Sequence, residues 1–264
     1  MKELPIRLLS GIIFIAVIIS SALYSSTSFY VVFYIMMMFC LYEFKKLIQL
    51  RYNWIYLVAT LIYLRFAELP ILSASYFHFF LIISLFIPFI YQLFKPKVSL
   101  TSSKLGHFFL AISYVVLPFV FLTKIPFINE EYHPNIIIGV FILIWMSDSF
   151  AYLVGSTIGK TKLYEKISPN KTVEGALGGL VAAVISAFFM SSYIDVLTTT
   201  SWIIIAFIVV VFGLLGDLIE SKFKREAKVK DSSNFIPGHG GFLDRLDSII
   251  FAVPFVYVYL HLTY

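Results

Sequence analysis

Apolar runs long enough to cross a lipid bilayer leave this chain few folds to choose from. A helical span needs about 20 mostly apolar residues, because every backbone polar group must be satisfied within the segment. Nine stretches approach that length: 8–24, 29–44, 54–70, 77–94, 105–123, 136–158, 173–194, 202–221 and 248–264. The 264-residue chain is 60% hydrophobic and only 13% charged, with mean hydropathy +0.91. Soluble domains are about a quarter charged, and the longest hydrophilic stretch, 222–247, is too short to make one. The expectation is an all-α polytopic membrane protein of about nine transmembrane helices, with Ser25–Ser28 leaving only a tight turn between the first two.

Charge orients that bundle. With the N-terminus in the cytoplasm, 18 of the 20 Lys and Arg fall at the inner face, and only Arg65 and Lys124 lie on or near the outer side. This positive-inside asymmetry predicts a cytoplasmic N-terminus and an outside C-terminus. It also accounts for most of the net charge of +5 without nucleic acid as a partner. The basic Met1–Arg7 has the outline of a secretory leader, but no small-x-small cleavage site follows. The lone cysteine, Cys40, sits in an apolar run; it excludes an intrachain disulfide and a Cys-based zinc site. Residues 1–135, about five spans with almost no ionisable group at mid-membrane, read as lipid-facing scaffold or a subunit interface. Residues 136–264, about four spans with inner loops 159–172 and 222–247, hold the candidate chemistry.

In span six, Asp148, Tyr152, Gly155 and Gly159 follow 4, 3, 4 spacing and share one helix face. The glycines fit close helix packing; the acid needs a partner or a wet cavity. The following loop carries Lys160, Lys162, Lys166 and Lys171. Ser168 before Pro169 reads as a turn and helix-start signal. Thr172 is placed to cap span seven, whose first turn holds Glu174, and helix N-termini bind phosphate. A basic membrane-surface loop is the plainer alternative. No Walker A loop is present, since position 154 is Val.

The densest cluster runs from Gly216 to Asp247. Asp217, Glu220 and Ser221 sit at i, i+3, i+4 on one face, and Asp244 and Asp247 repeat the i, i+3 spacing. The segment leaves and re-enters one membrane face, so the two acidic pairs are able to meet. Crowded carboxylates repel, and a hard divalent cation removes that cost. Oxygen ligands with no Cys and one nearby His239 favour magnesium, held by Asp217 and Asp244 and shared with substrate phosphates. Lys222, Lys224, Arg225, Lys228 and Arg245 are candidate phosphate partners. Ordinary interfacial salt bridges and a simple tight loop at Pro237–Gly241 are the alternatives; Lys228, Lys230 and Asp231 read as a solvated face.

Two runs resemble a known family. Ser221-Lys-Phe-Lys224-Arg225, Lys230-Asp231 and Pro237-Gly-His239-Gly240-Gly241-Phe-Leu-Asp244-Arg245-Leu-Asp247 look like the signature of the phosphatidate cytidylyltransferases, the CDP-diacylglycerol synthases. Asp148-Ser-Phe-Ala151-Tyr152, Gly155, Gly159-Lys160 and Ser168-Pro169-Asn170-Lys171-Thr172-Val-Glu174-Gly175 resemble that family's upstream nucleotide-binding region. Asn170 stands where the family often has a basic residue, which leaves Lys171 and Thr172 as the better phosphate contacts. The resemblance implies transfer of the cytidylyl group of CTP to phosphatidate in the inner cell membrane, with the site facing the cytoplasm. It implies catalytic roles for Asp217, Ser221, Lys224, Arg225, Asp244 and Asp247. Substrate binding falls to Asp148, Tyr152, Lys160, Ser168, Lys171, Thr172, Glu174, Lys222, His239, Gly240, Gly241 and Arg245. It further implies magnesium, a second, monovalent cation beside it, and a homodimer. A polyprenol kinase or a cytidylyltransferase for another lipid would share the same inner-face site, and a cation transporter would use the same intramembrane acids.

Overall fold

A computed structural model describes residues 3–68, 86–91, 93–94 and 104–264. In chain order the elements are α1 (Glu3–Tyr24), α2 (Ser26–Leu47), α3 (Ile55–Glu68), α4 (Lys104–Ala111) and α5 (Leu117–Lys124). The hairpin β1 (Phe127–Ile128)–β2 (Glu131–Tyr132) precedes α6 (Pro134–Ile158). The hairpin β3 (Lys162–Tyr164)–β4 (Ser168–Thr172) precedes α7 (Val173–Ser191), α8 (Thr199–Glu226) and α9 (Leu243–Thr263). A π-helical turn, Ile112–Val116, joins α4 to α5. Among the described residues seven helices are long and apolar enough to cross a membrane, and Ile55–Phe66 is apolar but shorter. The protein is thus a multi-pass helical membrane protein. Of the expected span 77–94, residues 77–85 and 92 lie outside the described residues, and 86–91 are helical. Lys2, Lys95 and Lys97 also lie outside them.

Local chemistry sets the turns. Ser25 alone separates α1 from α2. Its hydroxyl accepts from the Ser28 N–H at 3.1 Å while the Ser28 hydroxyl accepts from the Ser25 N–H at 3.1 Å, a reciprocal cap that starts a helix in one residue. Thr198 caps α8 through the Ser201 N–H.

Three departures from the sequence expectation bear on the site. Helix α8 runs to Glu226 rather than to 221, since Glu220–Lys224 and Lys222–Glu226 pair at i, i+4 and carry it past the apolar stretch. Helix α9 starts at Leu243 rather than at 248, so Asp244, Arg245 and Asp247 lie in its first turns. Ser168 and Pro169 belong to strand β4 rather than to a helix start. A residue before proline prefers extended backbone, and a two-stranded hairpin leaves an edge where proline's missing donor costs nothing.

Helix packing positions the site. Helices α6 and α7 meet along a seam of small residues, in which Gly175 lies against the Ala151 carbonyl and Gly179 against that of Ser147. Helices α8 and α9 cross where Gly216 lies on the Asp247 carbonyl; a Cβ there would come within 2.6 Å of that oxygen and of the Phe251 Cβ. Large buried side chains from both halves, among them Phe33, Phe44, Tyr114, Phe141, Trp202 and Phe251, join one core. Leu8, Leu9 and Ile12 of α1 and Val181, Ile185 and Phe188 of α7 face outward, as bilayer-facing side chains do.

Candidate active site

Four helices and a hairpin enclose a cavity of about 690 Å³, within the range of small-ligand sites. Helix α6 contributes Asp148 and Tyr152, and the β3–β4 hairpin contributes Lys162, Ser168, Asn170 and Lys171. The start of α7 contributes Thr172 and Gly175; α8 contributes Asp217 and Lys224; α9 contributes Asp244, Arg245 and Asp247. Asp231 enters from the segment between α8 and α9. The lining is both charged and greasy, since Ile144, Val209, Val210 and Leu214 share the wall with five aspartates and four cationic side chains.

One contact joins the two regions that the sequence singled out separately. The Lys171 ammonium lies 2.5 Å from Asp217 Oδ2, tying the β3–β4 hairpin to α8. The other Asp217 oxygen accepts from the Ser221 hydroxyl at 3.2 Å. Lys224 sits between Glu220, with which it pairs, and Asp244 Oδ1 at 2.7 Å. Asp244 is held further by the loop before it. Its Oδ2 accepts from the Gly241 N–H at 2.7 Å and from the Ser232 N–H and hydroxyl, each at 2.9 Å. Each of these carboxylates thus stands against an ammonium group.

Thr172 is the N-cap of α7, as its place before span seven predicts, accepting from the Gly175 N–H at 3.1 Å. The start of that helix opens on the cavity, where its N–H groups and dipole favour an anion. Asp247 is buried, and its Oδ1 accepts from the Ser248 N–H at 2.7 Å.

Of the expected site residues, Asp148, Tyr152, Ser168, Lys171, Thr172, Asp217, Lys224, Asp244, Arg245 and Asp247 line the cavity. Eight others do not. Ser221 acts behind Asp217. Glu174 turns its carboxylate back onto the N–H groups of Lys160 and Thr161 at 3.1 Å and so closes the hairpin base. Lys222 pairs with Glu226 at 3.7 Å. Arg225 donates to the Val229 carbonyl at 3.4 Å. His239 leaves the cavity for α1, with Nδ1 at 2.8 Å from the Ser10 hydroxyl. Its imidazole is held below its ordinary 6.5 by burial, then by Arg245 and Arg7. Gly240 and Gly241 form the turn over Asp244. Conversely, Asp231, read as a solvated face, and Asn170 and Lys162, given no role, all line the cavity. Among the described residues no three His, Cys, Asp or Glu side chains form a ready-made metal cage.

A multi-pass helical membrane protein with a charged, amphipathic cavity between its last four long helices is the class that fold and site define. The chain belongs to the Cytidylyltransferase family, which it matches over residues 5–263. It is 41% identical over 167 residues to the phosphatidate cytidylyltransferase of Bacillus subtilis, covering 63% of this chain and 62% of that protein. It is 44% identical over 157 residues to that of Haemophilus influenzae, covering 53% and 54%. The match to the Staphylococcus saprophyticus enzyme is 42% over 153 residues, 57% of each. The aligned region thus spans under two thirds of the length of these relatives.

Proposed function

We propose that this protein transfers the cytidylyl group of CTP to phosphatidate, giving CDP-diacylglycerol and pyrophosphate, at the cytoplasmic face of the inner cell membrane. The observation that carries the reading is the Lys171–Asp217 contact across one cavity, which unites the two regions whose residues match the family. The mixed lining supports an amphipathic substrate: apolar Ile144, Val209, Val210 and Leu214 suit a lipid, while Lys162, Lys171 and Arg245 suit phosphates. The 18-to-2 asymmetry of Lys and Arg supports nine spans with the N-terminus and the cavity mouth inside.

In this reading a phosphate oxygen of phosphatidate attacks the α-phosphorus of CTP in line. The new P–O bond forms as the α–β anhydride bond breaks, and pyrophosphate leaves with the electron pair. The attacking phosphate is already ionised near neutral pH, so no general base is required. The residues bind, orient and neutralise. Lys171, Lys162 and Arg245 engage the triphosphate, and the N-terminus of α7 faces it. Lys224 stays on Asp244 and keeps the acidic wall from repelling the substrate. The donor set fits magnesium: Asp217 and Asp244 are hard oxygen ligands on facing helices, each already balanced by an ammonium group, and magnesium needs only one or two carboxylates beside substrate phosphates. Bound there, magnesium would neutralise phosphate charge and stabilise the leaving pyrophosphate. A monovalent cation beside it and a homodimer belong to the same proposal.

The test incubates purified protein with magnesium, CTP and either phosphatidate or a polyprenol. Appearance of CDP-diacylglycerol with phosphatidate alone supports the reading. Product only with the polyprenol, or magnesium flux into liposomes without CTP turnover, overturns it.

A further inference from the structure

Glu43, near the end of α2, is fully buried and belongs to neither motif of the sequence. A buried carboxylate is costly unless hydrogen-bonded throughout, and this one is. Its Oε1 accepts from the Ser233 hydroxyl at 2.6 Å and the Phe242 N–H at 3.0 Å. Its Oε2 accepts from the Ser232 hydroxyl at 2.8 Å and the Leu243 N–H at 2.8 Å. Every donor comes from the segment between α8 and α9 or from the start of α9. Helix α9 has no side-chain cap of its own, so Glu43 supplies one from another helix, where the dipole favours a negative charge.

The clamp reaches the cavity through one residue. Ser232 donates its N–H to Asp244, and its hydroxyl lies 2.8 Å from Glu43 Oε2 and 2.9 Å from Asp244 Oδ2. A hydroxyl has a single proton, so the two carboxylates share it. The turn above is built for the approach: a Cβ on Gly241 would meet the Glu43 oxygens at 2.5 and 2.6 Å. Aromatic contacts from the same helix press on the segment, with Phe39 stacked on Phe242 at 4.7 Å and Tyr42 5.7 Å from Phe235. From α1, Ser10 holds His239.

We propose that Glu43 is a positioning residue of the cytidylyl-transfer site. It fastens the segment 232–243 to the N-terminal helices and, through Ser232, sets the orientation of Asp244. This rests on the cavity being the transfer site. It gives the N-terminal half a part in catalysis beyond scaffolding.

The test compares wild type, Glu43→Gln, Ser232→Ala and the double variant, all in detergent. Two readouts are taken: turnover of CTP with phosphatidate, and amide hydrogen exchange of the peptide covering 231–243. In Glu43→Gln the expected result is a kcat at least tenfold lower, KM for phosphatidate within about twofold of wild type, and exchange at least tenfold faster in that peptide. Peptides of α6 and α7 should stay unchanged. Because both residues act on Asp244 through one path, the double variant should be no slower than the worse single one. Wild-type kcat in Glu43→Gln, losses that multiply in the double variant, or unchanged exchange would each overturn the proposal. An inactive wild type would refute the functional reading instead, and the exchange result would still decide whether the clamp exists.

Discussion

Replacing Gly216 with alanine adds one methyl group at the α8–α9 crossing. That methyl carbon would lie 2.6 Å from the Asp247 carbonyl oxygen and 2.6 Å from the Phe251 Cβ, where ordinary contact begins at 3.4 Å. The shortfall of 3.4 − 2.6 = 0.8 Å is against backbone and the root of a side chain, so no rotamer change relieves it. The helices must part. Overpacking of this kind costs about 1–3 kcal/mol, and a displacement near 1 Å at a catalytic group costs about 100-fold in rate. Gly216→Ala should therefore fold, melt at lower temperature, and lose about 10- to 100-fold in kcat as Asp217 moves away from Asp247. Gly213→Ala is the matched control one turn earlier. Its Cβ would first meet the Ser248 Cβ at 3.4 Å, ordinary contact, so the helices need not part, and activity should stay within about twofold of wild type, equivalent to about 0.5 kcal/mol. Both variants are measured by detergent-solubilised thermal melts and initial rates. Equal behaviour of the two variants would refute the claim that the close crossing at Gly216 sets the distance between the acidic helices.

Three further outcomes follow from the same geometry. Asp217→Asn and Asp244→Asn should each lower turnover by more than about 100-fold while the protein still inserts and elutes as wild type, the scale seen when a preorganised charge is removed from a reaction site; near-normal rates in either contradict its assignment. Lys171→Ala should raise the CTP requirement by about 10- to 100-fold, equivalent to a charge-assisted hydrogen bond of about 1.5–3 kcal/mol, and raise the phosphatidate requirement less; the reverse order would move the β3–β4 hairpin to the lipid side. His239 is depressed below its ordinary 6.5 by burial, Arg245 and Arg7. Above that value both folded and unfolded chains hold it neutral. As pH falls below it, the unfolded chain takes up the proton first, so stability declines with falling pH until the folded value is passed. Melting temperature between about pH 7.5 and 5.5 should fall more in wild type than in His239→Gln, scaled to one unpaired titration; parallel slopes would show that His239 carries none of the dependence.

Features fixed by local geometry were legible in the sequence. Apolar length named the long helices, and the place of Thr172 just before span seven marked a cap that the structure bears out. Asp148, Lys171, Asp217 and Asp244 line one cavity, where α6, the β3–β4 hairpin, α8 and the start of α9 converge. Lys222 and Arg225 show where a local error propagated. Ending α8 at 221 hid the fact that 100° per residue carries Lys224 round to the Asp217 face and turns Lys222 about 140° away from it, toward Glu226. Glu43 was overlooked because its meaning is non-local: its partners lie 189 to 200 residues along the chain. A lone acid in the apolar run 29–44 was the available signal, since an intramembrane carboxylate is rarely idle. His239 joins Ser10 across 229 residues, a pairing that no spacing rule predicts.

The central claim is that this cavity passes a cytidylyl group, not a phosphoryl group, from CTP to phosphatidate. The direct measurement runs purified protein, magnesium and phosphatidate with CTP labelled at the α-phosphate in one tube and at the γ-phosphate in another. The α-label should appear in the lipid fraction and the γ-label in free pyrophosphate, with both signals lost in Asp217→Asn. The γ-label in the lipid, or α-label transfer that survives in Asp217→Asn, would contradict the account.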